Sequence, residues 1–421
     1  MKKVIFLAIL LSIIQLGLSF YNNQALTMNP DERMNYQIAL NHVNGHGYSL
    51  YDASKHIFVN NAFHPTFPVY TYEFLIKNKI STKDWVIFVT LLSSILFGCS
   101  IIYFYKLNLY FLNERYSFFS TIIYGIYLSV IYYIGSLFLY ENISLYLIII
   151  CSFFMIKSVK SPINIFESMA VIISVLVPIL YRPQTIAVFT LMLFSYSIIL
   201  VVHKKTHYLF MVFIIVALSI LINIPILVKN HNIFGSYILS TEFGYRLLQG
   251  YNPVARGSWM GSAETDVNNP LYIYVHKNIP KLDILNDYEN SIAREKLAFD
   301  WIKENPIRAL ELDARKLAIY FLPFNYEVLP GNHFFNPINF LVYFLFLSMI
   351  FLKTVTRKWD DTDLIVLAPI AGSIALTLVF FMGARWRYYA EPFMIIYAVM
   401  FIKSTVEHFL NKRHLVTENI V

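Results

Sequence analysis

The residues of this 421-residue chain best suited to chemistry are a carboxylate pair, three arginines and two isolated polar groups. Asp31-Glu32 opens a segment that reads as a helix, with Asn29 as N-cap, Pro30 at the first helical position and Asn44-Gly45 closing it. A carboxylate held in this way can serve as general base toward a weak nucleophile. Arg182, in Tyr181-Arg182-Pro183, interrupts an apolar stretch, and Arg385 and Arg387 flank another in Gly383-Ala384-Arg385-Trp386-Arg387. Guanidinium forks suit phosphate oxygens, offering paired hydrogen bonds and permanent charge. His64 stands before Pro65, and Glu141 precedes Asn142 at the start of another apolar run.

Each group also has a plainer reading. Acids in a first turn complement the helix dipole. His64 suits a cap or a packed side chain, and Glu141 suits a place beside a helix N-cap. Arginines near a bilayer snorkel to head groups, or pair with a neighbour such as Glu391, when they are not holding a lipid-linked phosphate. The 11 histidines show no His-x3-His spacing near a carboxylate, so neither a metal site nor a cofactor is expected.

The elements that must position these groups are membrane helices. Apolar residues make up 57% of the chain and charged ones 14%, which no single water-soluble core accommodates. Soluble enzymes, disordered proteins and nucleic-acid binders are thereby disfavoured. At about 20 apolar residues per span, ten spans are expected: 4–21, 85–105, 117–134, 143–156, 165–181, 184–202, 208–228, 335–352, 364–382 and 388–402. Three of them, 143–156, 165–181 and 388–402, are short. Placing both termini in the cytosol gives the cytosolic loops Lys2, Lys3, Lys157, Lys160, Lys204, Lys205, Arg357 and Lys358, and leaves Arg182, Arg385 and Arg387 outside. The first segment has the n- and h-regions of a signal peptide but ends in Ser19-Phe20-Tyr21, a poor cleavage site, so it is expected to stay as a helix. Cys99 and Cys151 lie in apolar runs, and no disulfide is expected. Two long outer loops, 22–83 and 229–334, hold 16 of the 26 acidic residues. The whole chain, 1–421, reads as one membrane domain with an elaborated outer face. In the first loop Tyr36, Leu40 and Val43 suggest an amphipathic helix lying on the membrane surface.

Taken in order, these pieces resemble the GT-C glycosyltransferases, specifically the polyprenyl-phosphate-sugar-dependent group of protein mannosyltransferases and aminoarabinose transferases. Asp31-Glu32 with Tyr36, Ala39 and Gly45-His46-Gly47-Tyr48 resembles that group's acidic motif in the first outer loop. His64-Pro65, Glu141 and Arg182-Pro183 are similar to its next elements, although Asn142 stands where Pro is common. Gly250-Tyr251-Asn252-Pro253 is similar to a Gly-Asn-Asn-Pro-like segment. Asn305-Pro306 through Lys316 is similar to an Asn-Pro helix ending in Lys, and Arg385-Trp386-Arg387 to an Arg-Tyr-Arg element before the last span. No added soluble domain of the oligosaccharyltransferase kind is seen, so that branch is not the expected one.

The resemblance implies an all-α GT-C-like fold and transfer of one sugar, with inversion, from a polyprenyl monophosphate to an acceptor hydroxyl on the outer face. Asp31 would be the base and Glu32 would orient it or the acceptor. Arg182, Arg385 and Arg387 would stabilise the departing phosphate. His64 and Glu141 would face substrate. Lys316 would be a second phosphate contact, unless it belongs with Arg308 and Arg315 to an interfacial helix. The partners implied are the lipid-linked sugar, an acceptor glycan, lipid or protein, and membrane lipids. A bacterial plasma membrane is the expected address. The rivals are a lipid-sugar flippase or transporter, an O-antigen-type polymerase or ligase, and a structural or sensory membrane protein.

Overall fold

Long apolar runs punctuated by charged, proline-bearing turns give a helical bundle capped at one end by two folded loops. The computed structural model describes residues 1–21, 28, 30–52, 56–63, 66–127, 139–258, 267–279, 282, 285–322 and 337–418. In chain order the helices are α1 (Lys2–Tyr21), α2 (Pro30–Val43), α3 (Thr66–Lys77), α4 (Thr82–Asn108), α5 (Glu114–Ile126), α6 (Leu139–Lys160), α7 (Ile165–Tyr181), α8 (Thr185–Val202) and α9 (Leu209–Phe234). They continue as α10 (Glu242–Gly250), α11 (Pro270–Asn278), α12 (Asp287–Glu304), α13 (Pro306–Tyr320), α14 (Pro337–Thr356), α15 (Asp363–Val379), α16 (Ala384–Arg387) and α17 (Glu391–Glu418). A hairpin of β1 (Ser49–Asp52) and β2 (Ile57–Asn60) pairs Ser49 with Asn60 and Asp52 with Ile57.

Among the described residues seven helices are long and apolar enough to cross a membrane, α1, α4, α6, α8, α9, α14 and α17, while α7 and α15 are shorter. The chain is a multi-pass membrane protein. The expected span 117–134 falls on α5, and its residues 128–134 lie outside the described ones. The short segment 143–156 lengthens at both ends by taking in Glu141, Lys157 and Lys160 in α6, and 388–402 begins three residues later than expected, at Glu391, but runs on past Lys403 in α17. By contrast, α7 is stopped at both ends, by an Asn164–Glu167 capping box and by Arg182-Pro183.

In the bundle α4 packs on α1 and α6, α8 on α15, and α14 on α17. Gly372 brings α15 against α8, where a Cβ would fall 2.5 Å from the Val188 Cα. The first loop has its own core, built on Ile38, Ala39, Val69, Tyr72 and Leu75. Within this core α2 packs on α3 and β1: Glu32, Asn35, Ile38 and Ala39 are buried, Tyr36 packs half-buried against the cluster, and Val43 is exposed. The second loop is built around Leu247, Leu248, Leu271, Val275, Trp301 and Leu312. Asp287 stitches the loops together, with Oδ2 accepting from Ala62 N at 2.9 Å and Thr241 Oγ1 at 2.5 Å.

Candidate functional site

Arg182 is placed by the proline after it. Pro183 lacks an amide proton and disfavours helical backbone in the preceding residue, so α7 ends and Arg182 adopts φ −141° and ψ 82°. The Arg182 carbonyl accepts from Thr185 N at 2.8 Å and Thr185 Oγ1 at 2.7 Å, which starts α8. From this fixed turn Arg182 Nη2 lies 2.5 Å from Glu141 Oε1 and 3.8 Å from Asp31 Oδ2. The Arg182 and Glu141 side chains are 13% and 6% exposed, whereas Asp31 is 37% exposed. Burial works against the charged guanidinium, but Glu141 and Asp31, with Tyr389 and Glu242, outweigh it and hold the pKa above its ordinary value. Three residues singled out in the sequence thus converge from α2, α6 and the α7–α8 turn.

Beside Arg182 opens a cavity of about 300 Å³. Phe243, Phe380, Phe381, Trp386 and Tyr389 supply an aromatic wall, and Glu242 and Arg246 of α10 a charged one. Arg246 Nε donates to Glu242 Oε1 at 2.7 Å, and Gln184 Nε2 donates to Glu242 Oε2 at 2.6 Å. Sequence reasoning missed Glu242, Arg246 and Gln184. The signal available was a Glu–Arg pair at i,i+4, which ordinarily marks a solvated helix face. Through Ile186 and the Leu239-Ser240 step the cavity adjoins a second one of about 340 Å³. This groove lies between α7, α8 and α9, and Phe189, Leu193, Val216, Ile220 and Leu227 give it an apolar lining.

The other expected residues fall elsewhere. Glu32 is buried on α2, one position from Asp31. Arg387 is 1% exposed, donates to Glu391 Oε1 at 3.1 Å and to the Tyr320 and Leu322 carbonyls at 3.0 Å each, and lies outside the cavity lining. Its neighbours Trp386 and Tyr389 do line the cavity. Arg385 belongs to α16, whose description does not extend to that side chain, and His64 lies outside the described residues. Lys316 is fully buried rather than interfacial. Its Nζ is 3.1 Å from Asp313 Oδ1, donates to the Leu378 carbonyl at 2.9 Å, and sits 3.5 Å over the Tyr251 ring. Arg308, 49% exposed and paired with Glu311, and Arg315, also exposed, keep the surface character expected of that helix. Among the described residues no group of three or more His, Cys, Asp or Glu side chains is placed to hold a metal.

Fold and site together define a helical membrane protein whose charged cluster gathers at helix ends beside an apolar groove. No family model matches the chain, and no curated protein matches its sequence. Among solved structures it is similar to the apo crystal structure of an oligosaccharyltransferase from Archaeoglobus fulgidus, at 14% identity and a TM-score of 0.50, over 99% of this chain and 52% of that one. It is also similar to the archaeal oligosaccharyltransferase AglB from Archaeoglobus fulgidus in complex with an inhibitory peptide and a dolichol-phosphate, at 13% identity and a TM-score of 0.48, over 99% of this chain and 52% of that one. The chain therefore spans about half the length of these structures. The likeness at TM-score 0.50 is one of fold, and it supports the GT-C-like architecture expected from the sequence.

Proposed function

We propose that this chain is a membrane glycosyltransferase that moves a sugar from a polyprenyl-phosphate-linked donor to an acceptor hydroxyl on the outer face of the membrane. One observation carries the reading: Asp31, Glu141 and Arg182 converge beside a cavity that leads into an apolar groove between membrane helices. The two compartments fit the two ends of such a donor. The groove suits an isoprenoid chain, and the charged, aromatic-walled cavity suits a phosphate and a sugar ring. The fold likeness to an oligosaccharyltransferase agrees with this reading.

In the proposed step the acceptor oxygen attacks the anomeric carbon from the side opposite the phosphate. The bond from that carbon to the phosphate oxygen breaks, and the acceptor proton passes to an Asp31 carboxylate oxygen. Polyprenyl phosphate leaves with one more negative charge. Fixed cations in a water-poor pocket stabilise that charge without reorganising. Arg182, itself held by Glu141, keeps Asp31 beside the cavity. Lys106, Lys157, Lys229 and Lys353 sit in or near the end turns of their helices, where surface chemistry needs charge and midplane transport does not.

The reading is tested in vesicles containing the protein, labelled polyprenyl-phosphate sugars and host acceptors. Loss of sugar from the lipid with release of free polyprenyl phosphate is the expected result. Movement of intact labelled lipid between leaflets, without consumption, would replace the transferase with a flippase.

A further inference from the structure

Among the described residues two arginines line the cavity, and they are not equivalent. The charge of Arg182 is already met by Glu141 at 2.5 Å and Asp31 at 3.8 Å. Arg246 has only its Nε engaged, at 2.7 Å from Glu242 Oε1, and its side chain is 20% exposed. Among the described residues neither of its terminal nitrogens has a hydrogen-bond partner; the remaining contact is Cζ lying 5.8 Å from the centre of the Phe63 ring. Glu242 is itself immobilised, because its other oxygen takes the Gln184 amide at 2.6 Å from the opposite wall. A planar guanidinium pinned at Nε presents its Nη pair away from the pinning carboxylate, the geometry that grips two phosphate oxygens.

We propose that Arg246, rather than Arg182, receives the phosphate of the lipid-linked donor, and that Arg182 is a positioning residue for Asp31 and Glu141. The inference rests on the glycosyltransferase reading above and refines it. α10 brings Arg246 to the cavity from the second loop, and the adjoining Ser240 and Leu239 lead from this cavity to the groove. One amphiphile can therefore occupy both, with its phosphate on Arg246 and its chain along α8 and α9.

The test uses the full chain in nanodiscs of zwitterionic lipid. Binding of a long-chain polyprenyl phosphate is followed by tryptophan fluorescence, since Trp386 lines the cavity, with the corresponding polyprenol and phosphatidylglycerol as comparison ligands. Arg246→Ala is expected to weaken polyprenyl phosphate at least about tenfold, the scale of a lost charge-assisted hydrogen bond, and to leave polyprenol unchanged. Arg182→Lys is expected to weaken it far less. Should Arg246→Ala fail to fold, the Glu242→Gln/Arg246→Gln double variant removes the charge pair as a unit and must show the same selective loss. Polyprenyl phosphate binding equally to wild type and the Arg246 variants would overturn the assignment alone. Phosphatidylglycerol competing as well as polyprenyl phosphate would overturn it in favour of a general head-group site. Failure of wild type to bind polyprenyl phosphate would overturn both the assignment and the transferase reading beneath it.

Discussion

Arg182 and Arg387 look alike in the sequence, each a cation set among apolar residues, yet their surroundings separate them. Arg387 is spent on Glu391 and two carbonyls, partners that only folding brings within reach, apart from the i+4 carboxylate. Arg387→Ala should therefore act through stability, with turnover per folded molecule little changed. Arg182→Ala should cost about 3–5 kcal/mol, because it strands the nearly buried Glu141 carboxylate without its counter-charge. Arg182→Lys should restore most of that, and thermal unfolding of the pair separates the charge from the fork. Asp31 is more exposed, so Asp31→Asn should change stability by less than about 1 kcal/mol while removing the proposed general base. The sequence singled out Asp31, Glu141 and Arg182 individually. What it could not display was their contact, since the three lie on separate segments and nothing local encodes their meeting.

The second loop is anchored to the bundle through α13 and α15. Lys316, Asp313 and the Tyr251 hydroxyl, 2.6 Å from Asp313 Oδ1, gather at the Leu378 carbonyl in the last turn of α15, just before Phe380 and Phe381 of the cavity wall. A Cβ on Gly250 would run into the Phe380 carbonyl, so Gly250→Ala should destabilise by about 1–3 kcal/mol and displace that wall. Burial pushes the Lys316 amine down to about 8 from 10.5, with Asp313 opposing the shift. The unfolded chain then holds this proton more tightly between those values, so the stability owed to Lys316 rises across that window and is lost as pH falls through the lower one. Wild type should gain on Lys316→Met as pH is raised from about 8 to about 10, by at most about 3 kcal/mol. A flat or shrinking difference in unfolding temperature would contradict this. The helix itself was legible from Asn305-Pro306 onward. The burial of Lys316 was not, because Arg308 and Arg315 nearby make the segment look like a solvated basic face.

Across the whole molecule, apolar run length picked out the seven long helices, and polar residues near their ends caused the errors in their limits. Glu141 and Lys160 lie inside α6, although hydropathy alone cuts the helix short of both. The opposite end of the bundle gathers Lys157 with Glu167, Lys160 with Asp360 and Lys353 with Asp363, the basic side that the loop asymmetry assigns to the cytosol. In a background with Cys99 and Cys151 replaced by Ser, a membrane-impermeant maleimide should label Lys277→Cys in intact cells and spare Lys204→Cys. The reverse pattern would invert the topology and put the site on the cytosolic side. Asp31, held beside Arg182 and Glu141, is proposed as the base of a sugar transfer from a polyprenyl-phosphate donor. The most direct test compares release of free polyprenyl phosphate by wild type and Asp31→Asn at equal amounts of folded protein in vesicles. Turnover is expected in wild type, with a loss of about 10²–10⁴-fold in Asp31→Asn; equal turnover in both would rule out Asp31 as the base.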